Sequence, residues 1–172
     1  SNRKLYRVNF YFYYKMENTC ENKEEKQYLN LIHNIINNGT YEDTRNGKTL
    51  SIFGNCMRFS LSDGQIPILT TKKVAIKTCF EELMWFIQGK TDNRILQSKN
   101  VHIWDDNSTR EFLDGRGLFH LEENDLGPVY GHQWRHFNAP YTNFDADYSN
   151  QGVDQLQGII DELKDETKRS SR

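Results

Sequence analysis

Asn124–Asp125–Leu126–Gly127–Pro128–Val129–Tyr130–Gly131–His132–Gln133–Trp134–Arg135 holds more special residues in twelve positions than packing alone requires. Gly127–Pro128 marks a tight turn, because proline fixes φ and glycine adopts conformations other residues avoid. An acid precedes the turn, and a tyrosine and a Trp–Arg pair follow it. Density of this kind is the mark of a working segment rather than of filler.

Downstream, residues 138–152 read as a long loop. Val153, Leu156, Ile159, Ile160 and Leu163 then recur at helical spacing, followed by a charged tail over 164–172. Upstream, the spacing predicts a helix over 73–88 closed by Gly89, a shorter one over 91–98 and a helical turn over 108–113. Residues 49–53 and 57–61 read as short strands around a Gly54–Asn55 turn, and residues 40–48 as a polar loop. A helix is expected over 26–38, with Tyr28, Ile32, Ile35 and Ile36 on one face and Gly39 ending it. Residues 1–15 carry the alternation of a strand (Tyr6, Val8, Phe10, Phe12 and Tyr14 on one face), and the charged run 16–26 reads as a linker.

Composition narrows the classes. The 172 residues are 36% hydrophobic but 13% aromatic, enough ring area for a core. A net charge of −2 argues against a nucleic-acid binder led by electrostatics, and no apolar run reaches the roughly 20 residues of a membrane helix. Cys20, Cys56 and Cys79 form no Cys-x-x-Cys pair, so a soluble intracellular protein with reduced thiols and no structural zinc is expected.

Several residues invite chemistry. On the 73–88 helix, Glu82 shares a face with Cys79, Trp85 and Phe86, which would carry it toward the core and favour its protonated form, as a general acid requires. The alternative is a carboxylate at the rim of an amphipathic helix, paired to a base. Arg45 lies in a glycine-containing loop and suits a phosphate, although a lone loop arginine is commonly just solvated. His132 and His136 are four apart but lack a third ligand and the metalloprotease glutamate, so surface or core histidines are the plain reading. No nucleophile elbow or phosphate-cradling glycine loop is present.

Taken in order, Tyr28–Ile32, Thr49–Gly54, Met57–Phe59, Leu69–Lys73, Glu82–Gly89, Ile103–Asp105, Asp125–Gly131, Gln133–Arg135 and Gly152–Leu156 resemble the conserved blocks of thymidylate synthase. The resemblance runs from about residue 28 to 172, with 110–123 like the longer connection of eukaryote-type members. It implies an α+β fold, a mixed β-sheet packed with helices, of which residues 27–172 would be the N-terminal portion. It also implies methylation of deoxyuridylate, with 5,10-methylenetetrahydrofolate as cosubstrate supplying carbon and hydride, no metal, a homodimer, and residence in the cytoplasm or nucleus, with no membrane or nucleic-acid partner.

By the same resemblance Glu82 is the acid near the pyrimidine O4, and Tyr130 helps remove the C5 proton through water. Arg45 and Arg172 bind nucleotide phosphate, Arg172 across the dimer. Ile103, Trp104 and Asn107 line the folate pocket, and Lys72 falls near the folate's glutamate tail. The pattern departs in three places. The nucleophile's Pro–Cys–His segment is absent, the Arg45 loop is one residue shorter than usual, and the run 168–172 is slightly longer. The segment is therefore not expected to transfer methyl groups by itself; a longer protein or a second chain would complete it. The strand-then-linker start resembles the junction of a bifunctional dihydrofolate reductase–thymidylate synthase, with a plain extension as the alternative. A non-catalytic synthase-like subunit that dimerises or binds nucleotide, and a deoxycytidylate hydroxymethylase on the same fold, are the competing functions.

Overall fold

The computed structural model describes residues 22–44 and 47–167. The chain divides into two compact units, residues 1–74 and 75–172. The strand expected over residues 1–15 lies outside the described residues, as do Arg45 and the tail from 168.

In the first unit, α1 spans Lys26–Asn38. Its buried anchor is Leu29, against which Tyr28 and Ile32 pack, while Ile35 and Ile36 are half-buried. Gly39 ends it by close approach rather than by a left-handed turn. Its φ is −69°, but a Cβ there would stand 2.4 Å from the Ile35 carbonyl oxygen. Glu25, at the end of the charged run read as linker, is buried. Its carboxylate accepts the Thr70 and Thr71 amides (2.7 and 2.8 Å) and both threonine hydroxyls (2.6 Å each). Burial pushes the Glu25 carboxyl up, but these bonds outweigh it and hold it at about 2.

Residues 40–44 and 47–48, expected in a loop, are strand instead. They enter an antiparallel hairpin of β1 (Thr40–Thr44) and β2 (Gly47–Ser51), in register from Thr40 opposite Ser51 to Thr44 opposite Gly47. No apolar alternation announces β1 because both strands stay largely exposed, whereas β2 overlaps the strand read over 49–53. The expected strand over 57–61 does not form. Instead the Gln27 side chain brackets Arg58, donating to its carbonyl at 2.6 Å and accepting its amide at 2.9 Å, and Glu24 accepts the Ser60 amide. Side chains from α1 and the turn before it thus satisfy backbone groups that a neighbouring strand would otherwise take.

The second unit is helical among its described residues: α2 (Ile76–Ile87), α3 (Asn93–Ser98), α4 (Arg110–Gly115), α5 (Tyr130–Arg135) and α6 (Gln155–Lys164). Its core is Trp85, Leu96, Val101 and Leu126, with Phe86, Ile95, Trp104 and Val129 against it. The chain leaves α2 through Gly89 at φ +71°, with the Lys90 amide bonded to the Trp85 carbonyl. Side-chain caps start three helices: Asp92 accepts the Arg94 amide, Thr109 that of Phe112, and Asp154 that of Gln157. Helix α5 packs on α2 and, at Gly131, on the segment just after it, where a Cβ would lie 2.6 Å from the Lys90 carbonyl oxygen. Helix α6 buries no residue completely. The architecture is thus α+β, its only sheet among the described residues being the two-stranded hairpin.

Candidate functional site

Of the eight residues assigned roles by resemblance, five are described residues of the second unit: Glu82, Ile103, Trp104, Asn107 and Tyr130. Glu82 sits half-buried on α2, and the Trp104 indole N–H donates to its carboxylate at 2.8 Å. Cys79, one turn earlier, is exposed rather than part of an apolar wall, so the partial burial of Glu82 owes nothing to it.

Phe86, one turn beyond Glu82, organises the rest. Its ring meets Trp104 edge-on with centroids 6.4 Å apart, Tyr130 at 5.3 Å and Trp134 at 5.5 Å, and lies tilted against Trp85 at 5.3 Å. The carboxylate of α2 and the tyrosine of α5 are therefore referred to one ring, although 48 positions separate them in sequence. Trp85 is itself fixed, its indole N–H donating to the Asp92 carbonyl at 3.1 Å.

The turn carrying Ile103, Trp104 and Asn107 is held by Asp105. That carboxylate accepts the Gln97 and Asn93 side-chain amides at 3.0 and 2.9 Å and pairs with His102 at 2.8 Å. The hydrogen bonds from Gln97 and Asn93 hold its pKa below the usual aspartate value, with a smaller contribution from His102. Ile103 is half exposed beside the half-buried Trp104 and Asn107. Tyr130, at the first position of α5, is 57% exposed.

Lys72 is exposed in the first unit, just after the Thr70–Thr71 pair held by Glu25. Arg45 and Arg172 lie outside the described residues. Cys56 is exposed in the first unit.

His132 is a core residue, with Nε2 bonded to the Ala139 carbonyl at 3.2 Å and its ring packed edge-on against Tyr141 and Tyr148. A polar cavity of about 180 Å³ opens beside it, between residues 88–91 and the loop 141–149, and none of the five gathered residues lines it. Among the described residues no group of three His, Cys, Asp or Glu is placed to hold a metal ion, and no helix is long and apolar enough to cross a membrane.

Sequence reasoning missed two contributors. Phe86 looked like one more apolar residue of α2. Asp125, fully buried, accepts the Gly127 amide and the Tyr141 hydroxyl. Burial and that carboxylate push the Tyr141 phenol well above its ordinary pKa, so it stays a donor. An acid ahead of Gly–Pro was the only hint.

A family model described as thymidylate synthase matches residues 26–172. The chain is 52% identical over 157 residues to a bifunctional dihydrofolate reductase-thymidylate synthase of Plasmodium chabaudi, covering 90% of this chain and 27% of that protein. It is 51% identical over 144 residues to the protein of the same description from Leishmania major (83% and 28%), and 49% identical over 166 residues to that of Zea mays (96% and 31%). The chain thus spans between a quarter and a third of the length of these curated relatives.

Proposed function

Since this chain belongs to the thymidylate synthase family, we propose that its second unit supplies one side of a site that methylates deoxyuridylate with 5,10-methylenetetrahydrofolate. The observation that carries this reading is the Glu82–Trp104 hydrogen bond, set on the same Phe86 ring that Tyr130 meets.

The chemistry asks for those groups. A thiolate adds to C6 of the pyrimidine, and negative charge spreads over C5 and O4. A carboxyl group held near O4 stabilises that charge by donating a proton or a hydrogen bond. Glu82 has the partner such a role needs: the indole N–H fixes one oxygen and leaves the other for substrate and water. The C5 carbon then bonds the methylene carbon of the folate as that carbon's bond to N10 breaks and N10 takes up a proton, leaving the methylene held by N5. A water oriented by the Tyr130 hydroxyl takes the C5 proton, and the C5–H electron pair expels tetrahydrofolate from the methylene carbon. Hydride from tetrahydrofolate reduces the resulting exocyclic methylene, yielding dihydrofolate, and the thiolate departs from C6. Ile103, Trp104 and Asn107 offer the surface for the folate ring. Cys20, Cys56 and Cys79 all lack the Pro–Cys–His setting, so the attacking thiolate is assigned to residues outside this sequence. Nucleotide phosphate falls to Arg45 and, in a homodimer, to Arg172 from the opposite subunit; Lys72 takes the folate tail.

A reductase ahead of the synthase part is favoured by one specific observation. The match to the maize protein runs 166 residues, longer than the stretch 26–172 covered by the family model, so it takes in residues before the synthase start. The relatives' descriptions also favour a synthase over a deoxycytidylate hydroxymethylase.

The test is tritium release from C5-labelled deoxyuridylate by the intact protein that carries this segment. Release that depends on 5,10-methylenetetrahydrofolate is expected, as is a loss of about 10²-fold or more on Glu82→Gln. No release by the wild-type protein, or an unaffected variant, refutes the reading.

A further inference from the structure

We propose that Asp125 is a positioning residue for Tyr130: its carboxylate locks the Gly127–Pro128 bend and thereby sets where the tyrosine at the head of α5 stands. The proposal rests on the synthase reading above.

Tyr130 needs such a device. It is 57% exposed, and its ring touches the core through the edge contact with Phe86. Its place is therefore dictated mainly by the backbone that delivers it. That backbone turns at Gly127, at φ +71°, and tightens at once, the Val129 amide bonding the Gly127 carbonyl at 2.7 Å. A Cβ on Gly127 would stand 3.2 Å from Leu121 Cδ1, so the bend is packed against the fold on that side. From Pro128 onward Gln133 reaches back, its side-chain amide donating to the Pro128 carbonyl at 3.1 Å.

Asp125 ties this bend to two other parts of the unit. Oδ1 accepts the Gly127 amide at 2.8 Å and the Tyr141 hydroxyl at 2.5 Å; Oδ2 accepts the Phe144 amide at 3.2 Å. The Tyr141 hydroxyl is also within 2.8 Å of the Thr91 hydroxyl. Thr91 in turn accepts the Leu126 amide through its carbonyl, and Asp92 forms a β-bridge with Asp125. The carboxylate thus joins the bend to the loop 141–149, and the Tyr141 hydroxyl and the Asp125 backbone extend the joint to the segment after α2. It is 0% exposed, and a charge buried that deeply is tolerated only when its oxygens are satisfied, as these are. A turn alone does not require a buried carboxylate. A carboxylate that accepts three donors is a rigid joint, and the bend it locks at Gly127 delivers Tyr130 three residues later.

The comparison that isolates this role is between two reactions of the intact protein. Fluorinated deoxyuridylate forms the covalent complex with enzyme and folate but stops there, because fluorine at C5 cannot leave as a proton does. Tritium release from C5 needs the later step assigned to Tyr130. In Asp125→Asn the amide keeps one acceptor oxygen for Gly127 and Tyr141 but turns an NH2 toward the Phe144 amide, two donors face to face. Tritium release is expected to fall about 10- to 100-fold, the scale of a small misplacement of a reacting group, with adduct formation near wild type. Tyr141→Phe, which spares the Gly127 bond, should lower release about threefold by the same logic and serves if the first variant does not fold. In a Tyr130→Phe background Asp125→Asn should add little. Wild-type release in both variants, an equal loss of adduct formation, or full additivity with Tyr130→Phe overturns the proposal. Absence of release from the wild-type protein removes the synthase reading itself and the proposal with it.

Discussion

Replacing Glu25 tests the first unit through a group whose energetics can be worked out from its contacts. The carboxyl titrates near 2 in the folded chain against 4.5 for a free glutamate. Taken at face value the difference is worth about 3 kcal/mol at neutral pH, because each pKa unit is about 1.4 kcal/mol. Thr70 is exposed and Thr71 half-buried, so water lies beside the cluster and weakens its bonds; about 1.5–2 kcal/mol is the better figure. The folded pKa is depressed, so this stabilisation is complete above pH 4.5 and drains away as the pH falls from 4.5 toward 2. Glu25→Gln keeps the shape and an acceptor oxygen but loses the charge, which accounts for roughly half the strength of such bonds. The variant should therefore open the Thr70–Thr71 segment by about 1 kcal/mol, and Glu25→Ala by about 2 kcal/mol or more, since the donors lose their partner altogether. Hydrogen exchange at the Thr70 and Thr71 amides reads this locally. Exchange at neutral pH should speed up about fivefold in the glutamine variant and about 30-fold in the alanine variant, and the gap between wild type and Glu25→Gln should close below pH 3. Unchanged exchange at both amides, or a gap that widens in acid, would show that the carboxylate does not hold this segment.

Three further outcomes follow from the second unit. Trp104→Phe removes the indole N–H that bonds Glu82 while keeping an aromatic ring beside Phe86; in the intact protein kcat should fall about 10- to 100-fold with the KM for nucleotide little changed, checked by steady-state kinetics. Gly131→Ala forces a methyl to 2.6 Å from the Lys90 carbonyl oxygen, where backbone must yield on both sides, so urea unfolding should show a loss of about 2–3 kcal/mol. Leu96→Ala empties the best-buried position of the core and should cost about 2–5 kcal/mol by the same measurement, with Trp85 fluorescence shifting as its neighbour is lost.

Local signals carried some of this structure and not the rest. Helix α1 was legible to its last residue because apolar spacing and a terminal glycine agree there, and α2 because a 12-residue amphipathic run has few alternatives. Strand β1 was not, since a strand exposed on both faces shows no alternation, whereas β2 overlaps the strand read over 49–53. Helix α5 escaped because Tyr130–Arg135 is six residues long and includes a glycine; its contact with α2, not its propensity, makes it a helix. Glu25 was absorbed into a charged run because composition cannot reveal that two threonines 45 and 46 positions away will surround it.

The candidate site divides along the same line. Resemblance picked out Glu82, Tyr130, Ile103, Trp104 and Asn107 one block at a time, each by its local motif, and said nothing about how they meet. What joins them is non-local: an indole 22 positions from its carboxylate, and a phenylalanine ring that touches both the indole and the tyrosine. Phe86 has no chemistry to advertise. Its importance comes only from standing one helical turn beyond Glu82, so that whatever packs on it is automatically placed in register with the acid. The same reasoning applies to Asp125, whose neighbours arrive from the segment after α2 and from the loop 141–149. Residues that perform chemistry leave their mark in motifs because their side chains are irreplaceable. Residues that aim them are known only by their contacts, and the three-dimensional arrangement is needed to find them.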